Sequence, residues 1–281
     1  MGRAWTVLIM VEQPIRVAVN GATGRMGKAL CRLLADDPRF VLLRAVVSPQ
    51  SASKAMPVPA GAGQALCYAS GWDDAPALDV VIDFSSPAGL GAALAHCLQA
   101  RVALVAGSTG YDATMDERLR TAAGRVALLR AANFSLGVAV MRRLLREAAA
   151  ALPDWDVEIV EAHHRGKRDA PSGTALDLGA AVREGRGVGP DTAAYVFDRT
   201  LLGAERTHGT IGMSSIRGGD LAGEHTAMLM AAGERLELIH RTTDRAIFAR
   251  GALHAAYWLS TQPPGLWNLE DVLARPRAEG G

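Results

Sequence analysis

Cysteine is scarce: 281 residues contain three, Cys31, Cys67 and Cys97, with no C-x-x-C pair. An odd, widely spaced set excludes a disulfide framework and points to buried thiols in a reducing compartment. Aromatic residues make up only 5% of the chain, so the core must rest on aliphatic side chains and alanine. Excess charge is missing too, since 30 Lys and Arg against 29 Asp and Glu leave a net charge of +1. No global field therefore draws the chain to nucleic acid or to a membrane surface, and any basic patch must be local. No run approaches the ~20 apolar residues of a spanning helix. The apolar stretch from Trp5 to Val11 is at the short edge of a signal-peptide core, and no small-residue cleavage site follows it. An upstream translation start explains it better, and the expectation is a soluble, cytoplasmic protein. Internal repeats and low-complexity segments are absent as well.

What is present is a globular composition, 49% hydrophobic and 21% charged. The length suits one large or two ordinary domains. "IRVAVNGATGRMGKALCRLLADDP" opens with a short β-branched run from Ile15. Gly21, Gly24 and Gly27 follow, and then Ala29, Leu30, Leu33 and Leu34 recur at helical spacing. In a strand–turn–helix, Gly21 permits the tight turn, Gly24 admits backbone to a pyrophosphate, and Gly27 allows close helix–strand contact. The phosphate then lies on the helix N-terminus, where N–H groups are unpaired. A purely structural glycine turn is the plainer alternative.

Strand-like runs recur at 40–48, 78–86, 101–110 and 125–135, with helical patterns between the later ones. Aliphatic strands alternating with helices indicate a doubly wound parallel sheet covered on both faces, an α/β, Rossmann-like arrangement. Ligands of such sheets sit beyond the carboxyl ends of the strands. Those ends carry Asp83-Phe84-Ser85, Gly107-Ser108-Thr109 and Ala131-Ala132-Asn133-Phe134. At the end of the second strand an acidic residue would bind the ribose of NAD and repel the 2′-phosphate of NADP. Ser48 stands there, with Lys54 further along and Arg25 in the glycine turn, which favours NADPH or tolerance of both NADPH and NADH.

The second half contains "EAHHRGKRDAPSGTALDLG" after the alternating strand 155–162. Five potentially cationic groups, His163, His164, Arg165, Lys167 and Arg168, precede Pro171 and a helix start at which Ser172 is the expected cap. The amides of Gly173, Thr174 and Ala175 are expected to point outward and suit a carboxylate. Lys167 and His164 add positive charge, and His163 can carry a proton near neutral pH. Spacing alone is equally compatible with a capped helix after a solvated basic loop. No metal site is expected, because adjacent histidines lack a third ligand at a recognisable spacing. Beyond a glycine-rich loop (185–203), residues 208–242 read as three strands with turns at Gly218-Gly219 and Ala232-Gly233. There Arg217, Asp220, Glu224 and His225 read as structural polar contacts. A last helix covers 244–260. The open edges and uncovered face of such a sheet make oligomerisation a reasonable expectation.

Taken together, "VNGATGRMG", "DFSSPAG", "GSTG", "AANFSLGV", "EAHHRGKRDAPSGTAL" and "GTIGMSSIRGGDLAGEHTAM" resemble the 4-hydroxy-tetrahydrodipicolinate reductase (dihydrodipicolinate reductase) family over about residues 15–270. The resemblance implies a dinucleotide-binding domain from 1–133 and 244–281. A substrate and oligomerisation domain with a mixed sheet, through which subunits form a homotetramer, would span 134–243. It assigns the dinucleotide to Gly21, Ala22, Thr23, Gly24, Arg25, Met26, Gly107, Ser108, Thr109, Ala131, Ala132, Asn133 and Phe134. It makes His163 the proton donor and acceptor and Lys167 a second donor. His164, Lys167, Ser172, Gly173 and Thr174 would grip the carboxylates of a flat substrate ring held beside the nicotinamide. The family commonly has an acidic then a basic residue where this chain has Ser48-Pro49, which agrees with the NADPH leaning. The implied reaction, in lysine and diaminopimelate biosynthesis, is reduction of the cyclic imine with loss of water. Rival readings are a dehydrogenase of an amino acid or aldehyde on the same scaffold, and a non-catalytic dinucleotide sensor.

Overall fold

A computed structural model describes residues 13–59, 66–189, 194–200, 203 and 205–274. The stretch Trp5 to Val11 and parts of the glycine-rich loop 185–203 lie outside the described residues. By its contacts the chain forms two compact units, Met1–Arg130 with Ala252–Trp267, and Ala131–Gly251 with Asn268–Gly281.

The first unit runs β1 (Ile15–Asn20), α1 (Arg25–Asp36), β2 (Phe40–Val46), β3 (Tyr68–Ala69), β4 (Val80–Asp83), α2 (Pro87–Ala100), β5 (Ala103–Ala106), α3 (Ala113–Ala122) and β6 (Ala127–Arg130). All strand pairs are parallel, in the order β12-β6-β5-β4-β1-β2-β3, where β12 (Gly265–Trp267) returns beside β6. The order reverses at β1, with β2 on one side and β4 on the other, which is the place where doubly wound sheets open for ligands. The central strands β1, β4, β5 and β6 are largely buried on both faces, as their unbroken aliphatic runs require. Val81, Leu90, Leu94, Leu104, Leu119 and Leu128 form the heart of one core cluster. Each such side chain contributes about 1.5–3 kcal/mol on burial.

The second unit holds α4 (Leu136–Ala151), β7 (Asp156–His163), α5 (Gly173–Arg186), β8 (Tyr195–Val196), β9 (Ile211–Arg217), β10 (Gly223–Ala231) and β11 (Glu234–Thr242). Its sheet is mixed, in the order β11-β10-β7-β9-β8. Strand β7 lies parallel to β9 and antiparallel to β10. Helix α6 (Ala246–Leu259) spans the division between the units, and the short α7 (Leu269–Val272) follows β12. Leu145, Val157, Ile159, Leu178, Val182 and Ile211 pack α4 and α5 on one face of the sheet. Among the largest fully buried side chains of the described residues, Phe134 is the one aromatic, in keeping with a chain that is 5% aromatic.

The motif reading passes from Ser135 to Trp155 without assigning an element, yet α4 fills that interval. Val138, Met141, Leu145 and Ala149 give it a buried stripe at helical spacing. Arg142, one turn after Val138, flanks that stripe and ties the helix down by pairing with Asp177, Glu184 and Glu270. Strands β3, β8 and β12 have two or three residues and are too short to show alternation. Among the described residues, no helix is long and apolar enough to cross a membrane.

Candidate active site

In the first unit, the loop after β1 turns on Gly21, whose φ of 79° favours glycine. A Cβ there would lie 2.4 Å from the Phe84 carbonyl oxygen. A Cβ at Gly27 would meet the Gly21 carbonyl oxygen at 2.2 Å, so α1 rests directly on the turn. Helices α2, α3, α4 and α5 begin at the side-chain caps Ser86, Asp112, Ser135 and Ser172. By contrast, α1 begins at Gly24 with no side-chain cap. Its first-turn amides therefore remain for an anion, and the residues present fit the pyrophosphate of a dinucleotide. Gly24 and Arg25 are exposed at this turn, Thr23 and Met26 are half-buried, and Ala22 is buried beneath it.

A buried polar knot backs the neighbouring strand ends. The fully buried Asp83 carboxylate accepts from Asn20 Nδ2 (2.6 Å), Ser85 Oγ (2.6 Å) and Ser108 Oγ (2.5 Å). Burial pushes the Asp83 carboxyl above the usual range, although those hydrogen bonds pull it down. Ser108 Oγ also accepts from the Ser85 amide. The Ser108 hydroxyl is thus engaged within the protein, and Thr109 and Gly110, which follow it, are exposed. Gly107 packs where a Cβ would strike the Phe84 ring. Ser48 is exposed beyond β2, and its hydroxyl donates to Gln50.

In the second unit, β7 alternates strictly. Val157 and Ile159 enter the core, and Glu161 and His163 continue the same face. His163 Nδ1 lies 2.5 Å from Glu161 Oε2. Arg217, opposite His163 on β9, donates Nη1 to Glu161 Oε2 (2.8 Å) and Nη2 to Oε1 (2.6 Å). The Ser172 amide donates to Oε1 as well (3.1 Å). Burial, which alone would raise the Glu161 carboxyl, is outweighed by bonds from Arg217, Ser215 and His163, and it sits at about 2. Burial pushes His163 below the usual histidine range. Glu161 pulls it up, while Lys167 and Arg217 press it down. With Nδ1 bonded to a carboxylate, Nε2 is the ring atom left for proton exchange. Gly223 (φ 151°) lies against it, since a Cβ there would stand 3.0 Å from Nε2.

Ser172 Oγ caps α5 by accepting from the Ala175 amide (3.2 Å) and also bonds His225 Nε2 (3.1 Å). This corrects the expectation of three open amides. Ala175 is capped and buried, which leaves those of Gly173 and Thr174. Ser172 itself is 2% exposed. Gly173 is open, with nothing within 4 Å of where its Cβ would be. Thr174 Oγ1 accepts from Asn133 Nδ2 (2.9 Å), which ties the chain before α4 to the start of α5. Ala131, Ala132 and Asn133 are wholly or partly exposed, whereas the Phe134 side chain is in the core. His225, pushed down to about 4 by burial first and by His163 next, stays neutral and meets the His163 ring edge-on at 5.3 Å.

The loop between β7 and α5 is pinned from the β9–β10 turn by His164 N–H to the Leu221 carbonyl and Arg165 N–H to that of Gly219. Lys167 donates to Asp169 (2.7 Å), and the Ala170–Pro171 peptide is cis. Half-buried His164 and Lys167 thus share this loop with the exposed Arg165 and Arg168. Glu161 and Ser215, unmentioned in the motif reading, belong to the site, and so do Arg217 and His225. The alternation of β7 carried the signal for Glu161, because it puts that carboxylate on the buried face. No metal-binding cluster occurs among the described residues.

A parallel sheet with an uncapped glycine turn at its reversal, and a mixed-sheet unit with a carboxylate-oriented histidine beside open helix amides, define a pyridine-nucleotide oxidoreductase. Family models confirm that class and narrow it. Residues 15–134 match dihydrodipicolinate reductase, N-terminus, and residues 137–273 match dihydrodipicolinate reductase, C-terminus. The chain belongs to the dihydrodipicolinate reductase family. The 4-hydroxy-tetrahydrodipicolinate reductase of Xanthomonas campestris pv. campestris (strain B100) is 44% identical over 94% of this chain and 100% of its own. That of Nitrosomonas eutropha (strain DSM 101675 / C91 / Nm57) is 43% identical over 92% and 98%. The dihydrodipicolinate reductase of Paenisporosarcina sp. TG-14, solved with dipicolinate bound, superposes with a TM-score of 0.75 at 25% identity, covering 92% of this chain and 99% of that one.

Proposed function

We propose the following division of labour for this reductase, whose substrate is 4-hydroxy-tetrahydrodipicolinate and whose product is tetrahydrodipicolinate. The amides of Gly173 and Thr174 bind one substrate carboxylate, and His164 and Lys167 neutralise the charge of the ring's two carboxylates. The glycine turn from Gly21 to Met26, with Gly107 to Thr109 and Ala131 to Phe134, holds the dinucleotide. In this role Ser108, Ser172 and Phe134 act by shaping backbone, because their side chains are engaged or buried within the protein. With the 4-hydroxyl lost as water, the ring presents a conjugated C=C–C=N system, and a bound nicotinamide would supply a hydride to its carbon 4. As negative charge spreads toward the ring nitrogen, His163 Nε2 delivers the proton, and Lys167 stands as a second donor.

The observation that carries this reading is the 2.5 Å contact of His163 Nδ1 with a buried, Arg-paired carboxylate. That contact orients the ring and leaves Nε2 for chemistry. The two arriving carboxylates raise the histidine's proton affinity, so the dianion helps to load the acid it needs. The preferred cofactor is NADPH. The support is the lack of any carboxylate from Val47 to Lys54, together with Arg25 exposed at the turn. Assembly is proposed as a homotetramer through the outer face of the mixed sheet, which exposes Ile216 and Ile239. The setting is proposed to be the cytoplasm.

The test is kinetic. Freshly prepared substrate should drive oxidation of NADPH faster than of NADH, and pyridine-2,6-dicarboxylate should compete with the substrate. Cofactor binding without turnover would reduce the protein to a sensor. Turnover that is indifferent to the dicarboxylate would move the substrate to another class.

A further inference from the structure

Glu161 bonds three separate parts of the second unit at once. Oε2 takes His163 Nδ1 and Arg217 Nη1, and Oε1 takes Arg217 Nη2 and the Ser172 amide. Ser172 is the cap of α5, so the same carboxylate that aims the imidazole also fixes where the Gly173 and Thr174 amides begin. Arg217 extends the tie, because Nη2 also donates to the Asp169 carbonyl (2.6 Å), in the loop that bears Lys167. With each oxygen accepting at least two bonds and Arg217 charged beside it, Glu161 is a poor acceptor for the imidazole's own proton.

We propose that Glu161 is a positioning residue that holds the proton donor and the carboxylate-binding amides in one fixed register, with Arg217 as its counter-ion. The inference rests on the reading of His163 as the acid. The charged and titratable groups facing His163 are Glu161 on its own strand, Lys167 in the following loop, Arg217 on β9 and His225 on β10. Glu161 alone stabilises the protonated ring, and Arg217 opposes it.

The signs of two substitutions are therefore opposite. Glu161→Gln removes the anion and leaves both cations, so the basic limb of the kcat/KM profile moves to lower pH. Arg217→Gln leaves the anion to the imidazole, so that limb moves to higher pH. In Glu161→Gln kcat falls about 10- to 100-fold, a part of what a positioned acid contributes. KM rises in the same variant because the amides behind Ser172 lose their anchor. A purely structural glutamate would slow both variants without moving the two limbs apart. Should Glu161→Gln fail to fold with Arg217 unpaired, the double variant Glu161→Gln/Arg217→Gln removes both charges together and avoids a lone buried ion. Nitrogen-15 chemical shifts of its histidines then report whether His163 still keeps its proton on Nδ1. Loss of that tautomer preference is expected. Retention, or wild-type turnover, would overturn the proposal. If His163→Ala itself turned over normally, the acid assignment would fall first. If His163→Ala is slow while the Glu161 and Arg217 limbs coincide with wild type, the positioning role alone is wrong.

Discussion

Replacing His163 with alanine is expected to lower kcat by about 10²–10⁴, the contribution typical of a positioned proton donor, while leaving dinucleotide affinity unchanged. The structure makes this separable. Glu161 keeps its bidentate Arg217 partner when the imidazole is gone, so no buried charge is stranded. The Ser172–His225 bond that supports the α5 cap does not involve His163. The substrate cradle should therefore survive, and KM should change far less than kcat. Turnover measured by loss of reduced-nicotinamide absorbance, alongside cofactor affinity from protein fluorescence, reads the two quantities separately. Equal loss of both would show that His163 is needed for folding and would remove its chemical role.

The second large effect is expected in the first unit. Gly27→Ala sets a methyl 2.2 Å from the Gly21 carbonyl oxygen and 2.5 Å from Ala22 Cα, both backbone atoms that no rotamer can move. Helix α1 must then lift off the turn that presents its amides. Overpacking of this kind costs about 1–3 kcal/mol of stability. If the turn holds the phosphates as proposed, the dinucleotide should also lose contacts there, and each ~1.4 kcal/mol lost is tenfold in affinity. Gly71→Ala, where nothing lies within 4 Å, is the matched control. A lower melting temperature with weakened NADPH binding is expected only for Gly27→Ala. Unchanged binding would mean that the turn does not hold the phosphates.

Much of this molecule is legible in its sequence. The glycine spacing after Ile15–Val19 fixes a strand–turn–helix, because only glycine tolerates the approaches that Gly21 and Gly27 make. Aliphatic runs of four or more residues, too uniform to face water on one side, announce the parallel sheet. The hydrogen-bond partners of the site were harder to see. Arg217 lies 56 residues beyond Glu161, and only the parallel pairing of β7 with β9 brings it opposite His163. His225 reaches Ser172 across 53 residues by way of β10. Sequence gives no local sign of which partners these are, so both read as structural polar contacts without named partners. Ser108 illustrates the reverse problem. Its place at a strand end looks like ligand contact, but its hydroxyl is spent on Asp83, the buried carboxylate that braces three strand ends. Helix α4 was hidden by its mixture of alanine and arginine, which shows its buried stripe only when Leu145 and Ala149 are set against β7 and α5.

In the proposed reaction a doubly negative ring docks on the imidazole of His163 and calls up the proton it will receive. The most direct measurement is the titration of that imidazole by NMR, in the free protein and with saturating pyridine-2,6-dicarboxylate. Burial holds the free ring below the ordinary histidine value. On binding, the midpoint should rise, and the ligand's affinity should fall as pH climbs through the bound-state value. A bound dicarboxylate that leaves the His163 midpoint where it was would contradict the account.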